Sequence, residues 1–199
     1  MKKLLGFLLL MLASPSILAE GTQISIFNGY RTSSDVQDAD SGAKVRFDET
    51  SSYGLIFATD YGRDHVMEFL YTKQSTNLSD TSTAPATKIF DVDIEYFQIG
   101  GSQVWKGEKV DKFLGATAGV VHFEPTDSSY LETTRFAMSF GGGVVYKITK
   151  SLGLRLEGRG YFSALGSSET LCGSGGNCLV VRDEFLRQFD VNAGLRFTF

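Results

Sequence analysis

The stretch LGLRLEGRGYF, residues 152–162, alternates with period two. Leu152, Leu154, Leu156 and Phe162 share one parity, while Arg155, Glu157, Arg159 and Tyr161 share the other. A helix would gather like residues at intervals of three and four; a strand sends successive side chains to opposite faces, so this segment is a strand. One face suits an apolar medium and the other carries full charges. A soluble barrel would bury the leucines and a membrane barrel would expose them. The rest of the chain has to decide between the two.

The N-terminus has the pattern of an export signal. Met1-Lys2-Lys3 is a positive start, an apolar run follows over residues 4–13, and Ser16-Ile17-Leu18-Ala19 ends in a small residue before Glu20. This is the pattern of a cleaved secretory signal peptide over residues 1–19, leaving one domain over 20–199. The apolar run is shorter than the roughly 18 residues a spanning helix needs. Without Lys2 and Lys3, 17 basic residues face 23 acidic ones, a formal balance of −6. An acidic exported chain is a poor partner for nucleic acid.

From Glu20 onward there is no helical period. Eight alternating runs predict strands over residues 23–31, 52–61, 65–75, 89–105, 112–123, 134–147, 152–163 and 186–199. Their connections are of two kinds. Long polar loops at 32–51, 76–88, 124–133 and 164–185 alternate strictly with short turns at 62–64, 106–111 and 148–151. All long loops therefore lie at one end of an up-and-down sheet. Pro85 and Pro125 fall in long loops, so no proline interrupts a ladder. Export, short turns at one end and long loops at the other predict an all-β, eight-stranded antiparallel up-and-down transmembrane β-barrel in the bacterial outer membrane.

The faces follow strand by strand. The eighth run sets Phe185, Phe189, Val191, Leu195, Phe197 and Phe199 against Gln188, Asp190, Asn192 and Arg196. The sixth sets Phe136, Met138, Phe140, Val144 and Tyr146 against Ala137, Ser139, Gly141 and Gly143, and the third sets Met67, Phe69 and Tyr71 against Glu68, Thr72 and Gln74. The fourth sets Val92, Ile94 and Tyr96 against Asp91, Asp93 and Glu95. In a membrane barrel the bulky apolar face meets lipid and the charged face lines the lumen. The expected lumen charge network is therefore Glu68, Asp93, Glu95, Arg155, Glu157, Arg159, Asp190 and Arg196, with Gly115, Gly119, Gly141, Gly143 and Gly194 leaving it room. Phe97, Ile99 and Trp105 fall on the parity of Asp93 and Glu95. A bulge near Gly100-Gly101 is expected to flip that phase and send Trp105 to the interfacial aromatic belt.

These features resemble the small eight-stranded outer-membrane barrels, the OmpA-, OmpX- and OmpW-like and opacity-type surface proteins. QFDVNAGLRFTF, ending on Phe199, and FGGGVVYKITKSLGLRLEGRGYF carry the resemblance. It implies that Leu195, Phe197 and Phe199 are the signal read by the barrel-assembly machinery. The expected surroundings are outer-membrane lipid and lipopolysaccharide, with an extracellular ligand for the loops.

Little in the chain suggests chemistry. Cys172 and Cys178 bracket GSGGN in the longest loop and read as a disulfide in an oxidising compartment. A zinc site wants about four ligands, and no histidine is near them, so no metal site and no cofactor are expected. His65 falls at a short turn; His122 lies near Glu124, Asp127 and Ser128 without a catalytic motif. No catalytic residue is assigned. Eight strands enclose an interior that side chains just fill, so the lumen charges read as a plug. The expected role is structural and surface-interacting through the long loops. An OmpW-like narrow channel for small or hydrophobic molecules is the alternative, and a rim-sited lipid-processing enzyme ranks below it.

Overall fold

The computed structural model describes residues 21–37, 44–82, 85–126, 132–165, 170–172, 178–180 and 185–199. The signal peptide expected over residues 1–19 lies outside the described residues. Twelve strands occur among the described residues: β1 (Thr22–Ser33), β2 (Val36–Gln37), β3 (Lys44–Phe47), β4 (Thr50–Asp60), β5 (His65–Asp80), β6 (Thr87–Trp105), β7 (Val110–Pro125), β8 (Thr133–Lys147), β9 (Leu152–Ala164), β10 (Thr170–Cys172), β11 (Cys178–Val180) and β12 (Phe185–Thr198). Eight of them, β1, β4, β5, β6, β7, β8, β9 and β12, form an antiparallel up-and-down barrel. It closes because β1 pairs with β4 on one side and with β12 on the other. The seam is tied at its base by Gly21 N–H to the Phe199 carbonyl at 3.1 Å and Phe199 N–H to the Thr22 carbonyl at 2.9 Å.

The outer wall is apolar. Ile26, Met67, Phe69, Ile99, Leu114, Phe136, Phe140, Leu156, Phe189 and Val191 are all exposed, while Arg155, Glu157 and Arg159 are buried. A continuous exposed apolar belt far exceeds the few hundred Å² that a water-soluble surface tolerates. It is the outer surface of an outer-membrane barrel, with lipid outside and ions inside. By the rule of this class, the short-turn end faces the periplasm and the long-loop end the exterior.

Strand β6 corrects the sequence reading. Its pairing runs unbroken through Gly100 and Gly101, which oppose Glu68 and Met67 on β5 and Thr117 and Ala116 on β7. No bulge occurs there; the irregularity in this ladder lies between Leu78 and Ser79. Phe97, Ile99 and Trp105 face outward without a change of phase, and so do Asp93 and Glu95, which are therefore not lumen residues. Val92, Ile94 and Tyr96 point inward and are buried. The physical reason is length. At about 3.3 Å per residue, this 19-residue strand far outruns an apolar band about 25 Å tall. Across β5 to β8, Tyr71, Phe97, Val120 and Phe136 form one outward row, and Lys73, Glu95, His122 and Thr134 form the next. Between those rows the wall leaves hydrocarbon for water.

The emergent part of the barrel is filled as a soluble domain would be. Strand β3, which the sequence reading places inside a loop, pairs with the top of β5 and carries β2 on its other edge. It brings Val45 and Phe47 over the mouth, where Phe47 stacks on Phe123 of β7 with ring centroids 5.9 Å apart. Leu78, Phe90, Val92, Ile94, Val121 and Leu186 complete this apolar cap.

Cys172 and Cys178 face each other in the β10–β11 ladder. No disulfide bond is present among the described residues, and the cysteine side chains, on which the disulfide expectation falls, lie outside them.

Two glycines test the wall geometry. A Cβ at Gly143 would run into the Leu156 carbonyl, whereas one at Gly160 would meet only the Phe162 ring at 3.7 Å. Gly143→Val is expected to destabilise the folded barrel by about 1–3 kcal/mol, as overpacking does. Gly160→Ala is expected to leave it unchanged, with both read as urea midpoints from heat-modifiable gel mobility.

Candidate functional site: the ionic interior

Alternation along β9 delivers Arg155, Glu157 and Arg159 to the lumen at one level, opposite β8 positions that carry little bulk. Gly141 pairs with Arg159 and Gly143 with Glu157. Glu157 sits between the two arginines: Arg155 Nε donates to Oε2 at 3.0 Å, and Arg159 Nε donates to Oε1 at 2.7 Å. From the far wall, β5 contributes Glu68, whose carboxylate lies 3.4 Å from Arg155 and 3.6 Å from Arg159. Two guanidinium groups thus meet two carboxylates. Arg155 also lies over the Phe113 ring, 4.0 Å from its centroid. Arg159 Nη1 donates to Ser139 at 3.0 Å and Thr117 at 3.3 Å, and both hydroxyls donate to Gln98 at 2.8 Å.

A second ionic level lies toward the exterior. Asp190 of β12 does not join the β9 cluster; it accepts from Arg31 of β1 at 3.0 and 2.8 Å and from Ser52 of β4. Neither member of the Arg31–Asp190 pair is exposed to solvent. Arg31 Nη2 donates further to Thr72, and its guanidinium lies near the rings of Tyr96 and Tyr161, 5.2 and 4.5 Å from their centroids. Tyr96 donates to Gln188 at 2.7 Å, and Gln188 donates in turn to Gln74. Groups from six strands (β1, β4, β5, β6, β9 and β12) meet here, and the apolar cap lies above them.

Arg196 sits at neither level. At the periplasmic mouth, Asp111 lies 2.8 Å from Lys147 and 3.4 Å from Arg196. Asp93 and Glu95 are held on the outer wall by Lys73, at 2.6 and 2.9 Å. Leu195 and Phe197 face lipid, and Phe199 lies at the seam. His122 points outward, within 2.9 Å of the Thr134 hydroxyl and 3.6 Å from Glu132, on the wall rather than in a cleft. Among the described residues, no group of three or more His, Cys, Asp and Glu side chains could hold a metal ion.

Sequence reasoning placed Tyr161 on the charged parity of β9, set Tyr96 on the lipid-facing side and missed Arg31. The signal was present: Ile24 and Ile26 set an outward parity that sends Arg31 inward. Phe27, buried on the inner face, obscures the alternation.

A closed inside-out wall around a neutralised ionic core defines a small eight-stranded outer-membrane β-barrel, resembling proteins of the OmpA, OmpX and OmpW type. No family model and no curated protein matches the chain. Among solved structures, it is similar to OprG from Pseudomonas aeruginosa, with TM-score 0.62, 13% identity, and coverage of 90% of this chain and 97% of that one. It is similar to Neisserial surface protein A, with TM-score 0.61, 15% identity, and coverage of 90% and 98%. It is also similar to outer membrane protein AlkL in lipid bilayers, with TM-score 0.60, 15% identity, and coverage of 90% of each chain. At these identities the likeness establishes the fold.

The Arg31–Asp190 pair makes a sharp prediction. Removing one partner strands a buried charge at a cost of about 3–5 kcal/mol, whereas replacing both with apolar residues is close to neutral. Arg31→Met and Asp190→Leu are each expected to lower the urea midpoint strongly, and the double variant to recover most of the loss. Lys73→Ala, at a partly exposed pair, is expected to change stability by less than about 1 kcal/mol.

Proposed function

We propose that this barrel works at the cell surface through its long extracellular loops and does not conduct. The observation that supports this reading is the closed upper ionic level. Arg31, Ser52, Thr72, Gln74, Tyr96, Tyr161 and Asp190 converge from around the wall, and none has solvent-exposed surface. A permeating solute would have to break a desolvated ion pair and then displace the Phe47–Phe123 cap. Such a rigid, filled barrel is a scaffold on which loops can carry recognition. In this reading Leu195, Phe197 and Phe199 serve assembly of the barrel rather than its surface role.

The narrow-channel alternative predicts a different behaviour in the same assay. Purified protein in a planar bilayer is expected to show no discrete conductance steps, and reproducible steps would favour the channel. The surface role is tested in cells lacking the gene. Full-length protein is expected to restore whichever adhesion, aggregation or detergent-resistance trait is lost. A chain with residues 34–48 and 165–184 replaced by short turns is expected to assemble and fail to restore it. Restoration by the trimmed barrel would refute the proposal.

A further inference from the structure

The two ends of the barrel carry opposite charge on the outer wall. At the exterior end, Asp91, Asp93, Glu95 and Glu124 project outward from β6 and β7, with Lys73 and Lys88 paired against the first three, which leaves an acidic excess. At the periplasmic end, residues 60–64, 105–112 and 147–151 hold six Lys and Arg against four Asp and Glu. Two of those carboxylates are engaged: Asp111 by Lys147 and Arg196, and Asp60 by Lys106 at 3.5 Å. Arg63, Lys109, Lys112 and Lys150 form no ion pair among the described residues.

Two of these free cations flank the chain's one tryptophan. Lys112 is the direct cross-strand neighbour of Trp105, and both are exposed on the outer wall. On the other side, Val104 N–H donates to the Asp64 carbonyl at 2.8 Å, which holds the turn bearing Arg63 beside Trp105. Immediately toward the hydrocarbon the wall is indented. A depression of about 370 Å³ is lined by Tyr61, His65, Met67, Gly101 and Gln103 among others. Gly101, flanked by Met67 and Ala116 in neighbouring strands, forms its floor.

An apolar hollow in the lipid-facing belt, bordered at headgroup depth by Trp105, Tyr61 and unpaired cations, matches one chemistry. We infer that this face binds an anionic phospholipid of the inner leaflet. One acyl chain lies in the Gly101 depression and the headgroup phosphate lies between Arg63 and Lys112. Tryptophan and tyrosine favour this interfacial depth. Each Lys or Arg near a membrane surface attracts anionic lipid by an amount equivalent to about a fivefold change in affinity.

The single tryptophan supplies the assay. The folded protein is reconstituted in phosphatidylcholine vesicles containing increasing fractions of phosphatidylglycerol, with bromine on the acyl chains of one lipid at a time. Quenching of Trp105 then reports the lipid beside it and is blind to aqueous phosphate. Brominated phosphatidylglycerol is expected to quench well beyond its mole fraction. That preference is expected to fall about fivefold for each of Arg63→Gln and Lys112→Gln, and to persist in Lys73→Gln at the opposite end. In the unaltered protein, raising salt to ~1 M should suppress the preference by screening. Coincident quenching curves for the two lipids would overturn the inference. So would a preference that survives the double variant, or one that Lys73→Gln lowers equally.

Discussion

The exclusion of ionised side chains from hydrocarbon governs this structure. Three consecutive inward positions of β9 carry Arg155, Glu157 and Arg159. Moving that strand by one residue against its neighbours would turn all three into lipid. With midplane arginine costing about 2–4 kcal/mol, the alternative register is not populated. The glycines of β8 answer the same constraint from the other side. Charged side chains held indoors need space, and Gly141 and Gly143 yield it where Arg159 and Glu157 enter. A barrel this narrow cannot hydrate its ions, so they neutralise one another in pairs.

Above the membrane the governing physics changes while the chain does not. β5 and β6 continue past the lipid as 16- and 19-residue strands. There the inner face is Leu78, Phe90, Val92 and Ile94, and the outer face is Asp91, Asp93 and Glu95. The lower half is therefore polar inside and apolar outside, and the upper half is the reverse. The Arg31–Asp190 pair, with Tyr96 and Tyr161 against it, lies at the junction, where phenol rings can meet a guanidinium below and aliphatic side chains above.

That inversion explains what could be read from the sequence. β8, β9 and β12 lie mostly within the lipid span, so each shows one alternation, and their faces were legible from residues such as Leu156, Glu157, Val191 and Asn192. β6 spans both regimes, so charge at Glu95 and bulk at Phe97 share one parity. A bulge was a reasonable repair for a strand in one solvent and an unnecessary one for a strand in two. The β2–β3 pairing was illegible for a different reason. Strands of two and four residues carry too little pattern, and Phe47 is explained only by Phe123, far away in sequence. Of the interior charges, those on β9 could be grouped by spacing alone. The partnership of Asp190 with Arg31 across the β1–β12 seam depends on closure, which no single strand records.

Spin-label accessibility tests the inside-out arrangement most directly. With Cys172 and Cys178 replaced by serine, nitroxides are attached singly at Phe140→Cys, Leu156→Cys and Val191→Cys on the outward face, and at Ser139→Cys and Ser163→Cys on the inward face. In bilayers, the outward labels should collide readily with dissolved oxygen and rarely with a water-soluble nickel chelate, whereas the inward labels should be shielded from both. Nickel access at Leu156 and Val191, with oxygen access at Ser139 and Ser163, would place the charges of β9 in lipid and contradict the account.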